Sequence, residues 1–298
     1  MILCVGEILA DMIGSVRSGQ TAYECKAGGA PFNVACAAKQ FGAESVFVGC
    51  VGEDLIGDFL LEFAKERGLA EHIARDPERN TTLAFVRLDE NGDRSFCFYR
   101  KHTADYHLPP VQEELLKRAY IVHVGSLMLS EEEGRAYAAS LMKLAHEDGK
   151  LVSFDINFRT DIFRNTREAV EIYRKVIALA DIVKFSEDEV ETFGRDYVDG
   201  LKEKLVCITL GKRGCRWQYR GEGRTLETID IKPVDTTGAG DAFYAGVLSR
   251  LDGTSPDGWT DETLSKALQY GNVCGALNTL GHGAIDNLPT REEIARWL

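Results

Sequence analysis

The stretch Asp235-Thr236-Thr237-Gly238-Ala239-Gly240-Asp241 leads directly into a helix-forming run at 242–251. A glycine-rich turn at the start of a helix directs several backbone N–H groups at one point, where the helix dipole also favours negative charge. A carboxylate beside such an anion hole suits Asp241 to take a proton from a hydroxyl while the N–H groups stabilise a phosphoryl group in transfer. The alternative is an aspartate that only caps the helix, which is common in α/β proteins.

Short runs of β-branched and apolar residues alternate with helical periodicity along most of the chain. Strands are predicted at 2–5, 45–51, 120–124, 151–155, 182–185 and 206–210, and helices at 31–41, 55–67, 131–147 and 167–179. Because the strands are rich in Val and Ile without polar alternation, they predict a mainly parallel sheet with helices on both faces. The predicted fold class is therefore a doubly wound α/β architecture, in which ligands gather at the carboxyl ends of the strands.

Two segments, 12–27 and 81–105, interrupt this pattern. The first lacks helical periodicity, and the second contains a predicted hairpin of 81–89 and 94–100, joined by the turn Glu90-Asn91-Gly92-Asp93. We expect a small inserted β sheet that acts as a lid, in a chain that otherwise forms one domain over 1–298. A dimer edge or simple decoration of the domain is the alternative, and a lid and a dimer edge can coexist. After Gly281 the chain is predicted to be mostly helical, ending in a helix over 290–298 capped by Thr290.

The composition excludes several classes of protein. A net charge of −12 over 298 residues argues against nonspecific nucleic-acid binding, which needs a concentrated basic surface. The eight cysteines form no C-x-x-C pair or Cys/His cluster, so they are predicted to be reduced, mostly buried thiols. The chain starts with a strand-like run and has no basic leader or long apolar segment, so we expect a cytoplasmic protein that neither enters nor crosses a membrane.

Polar residues follow two of the predicted strands. Asp11 comes soon after the first strand, and Gly28-Gly29-Ala30-Pro31-Phe32-Asn33 leads into a helix; Asp and Asn side chains suit a neutral, polyhydroxylated ligand. A surface aspartate and an asparagine cap are the alternatives. After the strand 151–155, Asn157 and Arg159 are expected to face one ligand, and Arg159 offers a donor fork for phosphate or a sugar oxygen. An ion pair between Arg159 and a neighbouring acid is equally open.

Two later turns carry further candidates. Ser186 followed by Glu189 fits a capping box, while Glu189 also suits the ordering of a hydrated Mg²⁺. The turn containing Thr209, Gly211 and Gly214 is either a polyphosphate contact or an ordinary hairpin turn into 215–219. The sequence has no Walker A motif, and Phe243 stands where a dinucleotide fingerprint needs its third glycine. Both absences weaken the P-loop and NAD alternatives.

Together these segments closely resemble the ribokinase-like (PfkB) carbohydrate kinase family over essentially the whole chain. The resemblance is carried by the signature at 28–33, its continuation Gly42…Gly49-Cys50-Val51-Gly52-Glu53-Asp54…Gly57, and the signature at 235–241, in that order. It implies a ribokinase-like fold and phosphoryl transfer from ATP, with Mg²⁺, to a sugar hydroxyl.

The same resemblance implies a role for each candidate residue. Asp241 is the implied base, the N–H groups of Gly238, Ala239 and Gly240 form the anion hole, and Arg159 neutralises the transferred phosphoryl group. The implied sugar contacts are Asp11, Gly28, Gly29, Asn33, Phe98, Arg100 and Asn157, and the implied nucleotide contacts are Lys184, Thr209, Gly211, Gly214 and Asn272. Glu189 matches the acid of the family's N-x-x-E motif, which holds Mg²⁺ through water, although Ser186 replaces the Asn. Asp235 and Thr237, with the loop 281–284, resemble the family's monovalent-cation site, commonly potassium.

The segment Phe98-Tyr99-Arg100-Lys101-His102-Thr103-Ala104-Asp105 carries the clue to the substrate. It resembles fructokinases, in which an Arg follows an aromatic residue and an Ala-Asp pair comes shortly after, although Lys101 and His102 depart from a common polar-Pro pair. Kinases of 2-keto-3-deoxygluconate have a similar Tyr-Arg but usually a small residue at the place of Asp105, which would repel a carboxylate. The resemblance therefore favours fructose, phosphorylated at O6, over ribose, adenosine-type nucleosides and the keto-deoxy acid.

Two alternatives from other classes fit less well. A non-catalytic sugar-binding or regulatory relative is expected to lose Asp241 or the glycines before it, and all of them are present. An NAD-dependent oxidoreductase needs the complete fingerprint and a ribose-binding acid, and neither is found.

Overall fold

The computed structural model describes residues 1–17, 20–88, 94–163 and 165–298. Its strands are β1 (Ile2–Val5), β2 (Leu9–Arg17), β3 (Gln20–Gly28), β4 (Ser45–Gly52), β5 (His72–Asp76), β6 (Leu83–Leu88), β7 (Arg94–Tyr99), β8 (Ile121–Val124), β9 (Leu151–Asp155), β10 (Ile182–Ser186), β11 (Leu205–Thr209), β12 (Cys215–Tyr219) and β13 (Glu222–Leu226). Its helices are α1 (Ala30–Gln40), α2 (Leu55–Glu66), α3 (Glu113–Arg118), α4 (Glu132–Glu147), α5 (Thr166–Ile177), α6 (Glu187–Phe193), α7 (Arg195–Asp199), α8 (Ala239–Leu251), α9 (Asp261–Asn278) and α10 (Arg291–Ala295).

The larger sheet has nine strands in the order β13-β12-β11-β10-β9-β8-β1-β4-β5. Every neighbouring pair from β11 to β5 is parallel, whereas β12 pairs antiparallel with both of its neighbours, β11 and β13. In β1, Ile2 and Cys4 belong to one apolar core and Leu3 and Val5 to another. Because helices cover both faces, every residue of this strand is buried, which explains the absence of polar alternation. The predicted doubly wound, mainly parallel α/β fold is confirmed.

The smaller sheet has four strands in the order β3-β2-β6-β7. β2 pairs antiparallel with β3 and parallel with β6, and β6 pairs antiparallel with β7. The prediction of a second, inserted β sheet is confirmed, and residues 12–17 and 20–27 lie in two of its strands. The predicted hairpin turn, with Asp89, lies outside the described residues.

The C-terminal part differs from the prediction. After Gly281 only α10 is an α-helix, so the prediction of a mostly helical end was wrong. Residues 281–287 form bends and turns. The capping box at Thr290 is present, with Glu293 as its partner. The long helix α9 was missed because residues 270–275 are all buried, so the helix lacks the one-sided apolar pattern that reveals an amphipathic helix.

Burial agrees with the expectation for the cysteines, since six of the eight are buried. Among the helices of the described ranges, none has the length and apolar character needed to cross a membrane.

Candidate active site

A cavity of about 310 Å³ lies where β9 and β10 end, beneath the smaller sheet and beside the start of α8. Its walls join distant parts of the chain. From the N-terminal half, Asp11, Gly29, Asn33 and Phe98 line the cavity. From the C-terminal half, Asn157, Arg159, Lys184, Thr237, Gly238, Gly240 and Asp241 line it. Most of the residues predicted for the sugar, the base and the anion hole therefore meet at one place.

Asp241 lies in the first turn of α8, and its position depends on the glycine turn before it. Gly238 is the N-cap of α8 with φ 71°, a conformation that favours glycine, and a Cβ there would lie 2.6 Å from Ala284 Cα. Ala239 N–H donates to Thr236 O at 3.3 Å, which closes the turn. The start of α8 thus faces the cavity with its N-terminal backbone amides and with the Asp241 carboxylate.

Asn33 holds the Asp241 carboxylate directly. Its Nδ2 donates to Asp241 Oδ2 at 2.7 Å, although 208 residues separate the two in sequence. Asn33 is buried on α1, so this contact fixes the carboxylate against the wall formed by the first glycine signature. The amide therefore orients the candidate base, in addition to any contact with a ligand.

The environment raises the pKa of Asp241 to about 6, mainly because burial disfavours the charged carboxylate and because Asp155 repels it. The hydrogen bond from Asn33 and the charges of Lys184 and Arg159 act in the opposite direction and lower the pKa. A carboxyl with this pKa is ionised at pH 7 yet more basic than an ordinary aspartate. These properties suit a general base.

Lys184 and Asp155 form a buried ion pair beneath the cavity. Lys184 Nζ lies 2.7 and 2.8 Å from the two Asp155 oxygens, and the residues face each other in register on β10 and β9. The ammonium lies close to Gly240, because a Cβ built on Gly240 would be 3.4 Å from Lys184 Nζ. Lys184, predicted as a nucleotide contact, therefore lies in the same cavity as Asp241.

Asp11 approaches Gly28 so closely that a side chain there would displace the Asp11 carboxylate. A Cβ on Gly28 would lie 2.3 Å from Asp11 Oδ2, and the two residues sit on the paired strands β2 and β3. Asn157 has φ 35°, a left-handed conformation that asparagine tolerates better than most residues. Both side chains are consequently held at the cavity by their local backbone.

Four residues predicted as nucleotide contacts lie outside the residues that line the cavity. Thr209 ends β11, and Gly211 and Gly214 flank the turn into β12. Asn272 is buried in α9, where its Nδ2 donates to the carbonyls of Leu226 and Glu227 at 3.4 and 3.3 Å. These hydrogen bonds fix the end of β13, so the Asn272 amide is already committed to the protein backbone.

Glu189 completes the predicted capping box at the start of α6. Its Oε2 accepts from Ser186 N–H at 2.7 Å, while Ser186 Oγ accepts from Glu189 N–H. Its Oε1 accepts from Phe158 N–H at 2.7 Å and ties α6 to the segment that carries Asn157 and Arg159. Burial raises the pKa of Glu189.

Asp235 and Thr237 form a compact turn against the loop 281–284. Asp235 Oδ1 accepts from Thr237 N–H and Oγ1–H at 2.9 and 2.6 Å, and Oδ2 accepts from Gly283 N–H at 3.1 Å. Asp235 and Thr237 thus lie beside the loop 281–284, with which they were predicted to form a monovalent-cation site.

Arg100 is placed differently from its predicted role as a sugar contact. Its side chain is buried and donates to Asp105, Tyr106, Ser130 and the carbonyl of Leu127. It borders a larger cavity of about 920 Å³, which contains neither Asp241 nor the glycine turns. Side chains alternate along β7, so Arg100 is expected on the same side as Phe98, which lines the active-site cavity. That pattern does not reveal that Arg100 instead donates its hydrogen bonds to these partners.

Several residues of the site were not predicted. Leu9, Leu127 and Thr236 line the cavity, and Asp155 lies directly beneath it as the partner of Lys184. Thr236 stood within the quoted signature. Leu127 follows β8, and only the position of β8 next to β1 in the sheet brings it near the site. The sequence gives no local signal for such a neighbour.

Comparisons with known proteins agree with this geometry. The family model described as "pfkB family carbohydrate kinase" matches residues 1–291. The chain is 37% identical to "Probable fructokinase-5" of Arabidopsis thaliana, over 97% of this chain and 94% of that protein.

Two solved structures are similar over nearly the whole chain. The fructokinase of Xylella fastidiosa with bound ATP has a TM-score of 0.92 and 31% identity, covering 99% of this chain and 97% of that one. A double mutant of the Vibrio cholerae fructokinase, with fructose, ADP and potassium ion bound, has a TM-score of 0.88 and 32% identity, covering 100% and 97%.

Proposed function

Because this chain belongs to the pfkB family of carbohydrate kinases, we propose that it transfers the terminal phosphoryl group of ATP to the O6 hydroxyl of fructose. The observation that carries the proposal is Asp241 at the mouth of α8, held by Asn33 in a cavity that also contains Asp11 and Asn157. The Arabidopsis relative is named a probable fructokinase, and the Vibrio cholerae structure contains fructose and ADP, which supports this acceptor.

In the proposed reaction, Asp241 takes the proton of the fructose O6–H group as O6 attacks the terminal phosphorus. The O6–P bond forms while the bond from that phosphorus to the bridging oxygen of ADP breaks, and ADP leaves with the electron pair. Phosphoryl transfer asks a protein mainly for positioning and for stabilisation of charge. The backbone amides of 238–240, Arg159 and Lys184 supply positive potential on the side of the phosphoryl group.

The metal requirements follow from the donors available. No group of three or more His, Cys, Asp or Glu side chains placed to hold a metal ion occurs within 1–17, 20–88, 94–163 and 165–298. Mg²⁺, which keeps most of its waters, nevertheless fits a site where Glu189 orders water and ATP supplies phosphate oxygens. The ion neutralises the phosphate charge during transfer. Asp235, Thr237 and the loop 281–284 offer carboxylate, hydroxyl and backbone oxygens that suit potassium, the ion named for the Vibrio cholerae structure.

The smaller sheet is proposed to close over the sugar as the lid of a single-domain kinase. Asp11 on β2 and Phe98 on β7 both face the cavity, so sugar binding and closure of this sheet are coupled through the same strands. Closure would exclude water, which otherwise competes with the sugar for the phosphoryl group. The nucleotide is proposed to lie toward the turn of Thr209, Gly211 and Gly214, with α9 and Asn272 supporting its wall. The buried thiols suit a reducing compartment such as the cytoplasm.

The test of this function is ADP formation measured with a panel of acceptors. Fructose, ribose, adenosine and 2-keto-3-deoxygluconate are each supplied with ATP and Mg²⁺, and the phosphorylated position is read by ³¹P and ¹³C NMR. Fructose 6-phosphate is the expected product, and fructose is expected to give the highest kcat/KM. Phosphorylation of the keto-deoxy acid or ribose in preference to fructose would contradict the proposal.

The outer face of the smaller sheet is proposed to join two copies of the chain. Tyr23 and Tyr99 are 51% and 63% exposed on this face, and both rings contact Phe85, with centroids 5.0 and 5.2 Å apart. The register of the strands places Met12 and Leu83 on the same side. An apolar, aromatic face of this kind suits a symmetric contact with its own copy.

The double variant Tyr23→Lys/Tyr99→Lys is therefore expected to be monomeric, because like charges would face each other across the interface. Light scattering at micromolar concentration measures the mass. Leu144→Lys changes a leucine that is 44% exposed on α4 and serves as the matched control, which should stay dimeric. A monomeric unmodified protein, or an unchanged mass in the double variant, would refute this interface.

A further inference from the structure

A buried ion pair lies behind the active-site cavity. Arg100 Nε and Nη2 donate to Asp105 Oδ2 at 2.8 and 2.5 Å, and the two side chains are only 2% and 1% exposed. Charges this deeply buried depend on each other, because water does not compensate either of them.

The pair lies directly behind the wall of the cavity. Phe98 and Leu127 line the cavity, and Arg100 follows Phe98 by two residues along the chain. Arg100 Nη1 donates to the Leu127 carbonyl oxygen at 2.5 Å. Phe98 and the backbone of Leu127 therefore connect the guanidinium to the wall of the space for the acceptor, and charge acts more strongly through protein than through water.

Asp105 is fully occupied in this arrangement. Its Oδ1 accepts from Thr82 Oγ1–H at 2.6 Å and from Thr103 Oγ1–H at 2.7 Å, while its Oδ2 accepts from Arg100. Asp105 does not line the cavity, so it does not meet an acceptor itself.

Glu7 is the other acid whose charge acts on Arg100. It is fully buried, and neither of its carboxyl oxygens accepts a hydrogen bond from another residue in the described part of the chain. Burial raises the pKa of Glu7 to about 8, so this carboxyl is mostly neutral at pH 7. Asp105 therefore supplies the negative charge that balances Arg100.

We propose that Asp105 determines specificity by neutralising Arg100, so that the cavity wall carries no net positive charge and a neutral ketose is preferred to a sugar acid. This rests on the proposed function, because it concerns the acceptor of that reaction. A guanidinium is the side chain best suited to pair with a carboxylate. Freed of Asp105, Arg100 would attract the carboxylate of an acid such as 2-keto-3-deoxygluconate. In this proposal Asp105 disfavours the carboxylate through Arg100, because Asp105 itself does not line the cavity.

The test compares kcat/KM for 2-keto-3-deoxygluconate with kcat/KM for fructose in Asp105→Asn. Asparagine keeps the volume and can still accept from Thr82 and Thr103, but it carries no charge. The ratio of acid to fructose is expected to rise by about tenfold or more. In Arg100→Gln/Asp105→Asn the ratio should return to its original value, because this variant no longer has the guanidinium charge that Asp105 neutralised. If Asp105→Asn is not recovered as folded protein, Asp105→Ser carries the same prediction.

Two results would overturn the proposal. One is an unchanged ratio in a folded Asp105 variant. The other is an equal rise in the single and the double variant, because the effect would then not pass through Arg100. An unmodified protein that does not phosphorylate fructose would instead refute the proposed function, so the two failures are distinguishable.

Discussion

Replacing Asp241 by Asn is expected to lower kcat by about 10²- to 10⁴-fold, because asparagine cannot take the proton of the acceptor hydroxyl. The affinity for fructose should change little. The amide oxygen of asparagine can still accept from Asn33 Nδ2, which lies 2.7 Å from Asp241 Oδ2, so the wall of the cavity is preserved. Steady-state kinetics at pH 7.5 and equilibrium binding of fructose measure the two quantities.

Stability serves as the control for this variant. The folded-state pKa of Asp241 is raised from 3.8 to about 6, so the ionised carboxylate destabilises the folded protein above pH 6, and this penalty vanishes below pH 3.8. Asp241→Asn is therefore expected to be at least as resistant to urea as the unmodified protein at pH 8. A variant that keeps nearly full kcat would show that Asp241 is not the base.

Replacing Lys184 by Met is expected to cost about 3–5 kcal/mol of unfolding free energy, because it leaves the Asp155 carboxylate buried without its partner. Activity should fall as well. The positive charge beside Gly240 would be lost, and the pKa of Asp241 would rise because Lys184 helps to lower it. Urea denaturation and kcat/KM for fructose measure the two effects.

The double variant Asp155→Leu/Lys184→Met separates these contributions. Because both buried charges are removed, most of the stability should return. The repulsion from Asp155 and the weaker attraction from Lys184 disappear together, so the pKa of Asp241 should fall rather than rise. If activity remains low in this stable variant, the loss is due to the missing ammonium charge of Lys184 at the phosphoryl site. Full activity in the double variant would contradict that role for Lys184.

The sequence predicts the architecture well where one strand or helix carries its own pattern. The apolar run of β1 is buried on both sides, and the capping box of Ser186 and Glu189 is local, so both were found. Helix α9 escaped detection because burial on several sides removes its periodicity. The turns after Gly281 were predicted as helix. Their conformation depends on a contact with Asp235, which is 48 residues away in sequence, and no local pattern reveals that contact.

The active site is predicted where a motif and a strand end coincide. Asp11, Asn33, Asn157 and Asp241 were named from such positions, and the structure brings them to one cavity. The contacts between them were not predicted, since the Asn33–Asp241 hydrogen bond joins residues 208 positions apart. The partners of Arg100 come from two separate segments after β7, one at Asp105 and Tyr106 and one at Leu127 and Ser130, and no spacing rule connects them.

The pH dependence of kcat/KM for fructose tests the role of Asp241 most directly. Below its folded-state pKa Asp241 is protonated and cannot act as a base, so kcat/KM is expected to fall about tenfold per pH unit below about pH 6. Asn33→Leu removes a hydrogen bond that lowers this pKa, so the fall of kcat/KM should begin at higher pH in that variant. The residual activity of Asp241→Asn should show no such fall. A profile that stays flat from pH 8 to about pH 4.5, or a fall that persists in Asp241→Asn, would contradict the assignment of Asp241 as the base.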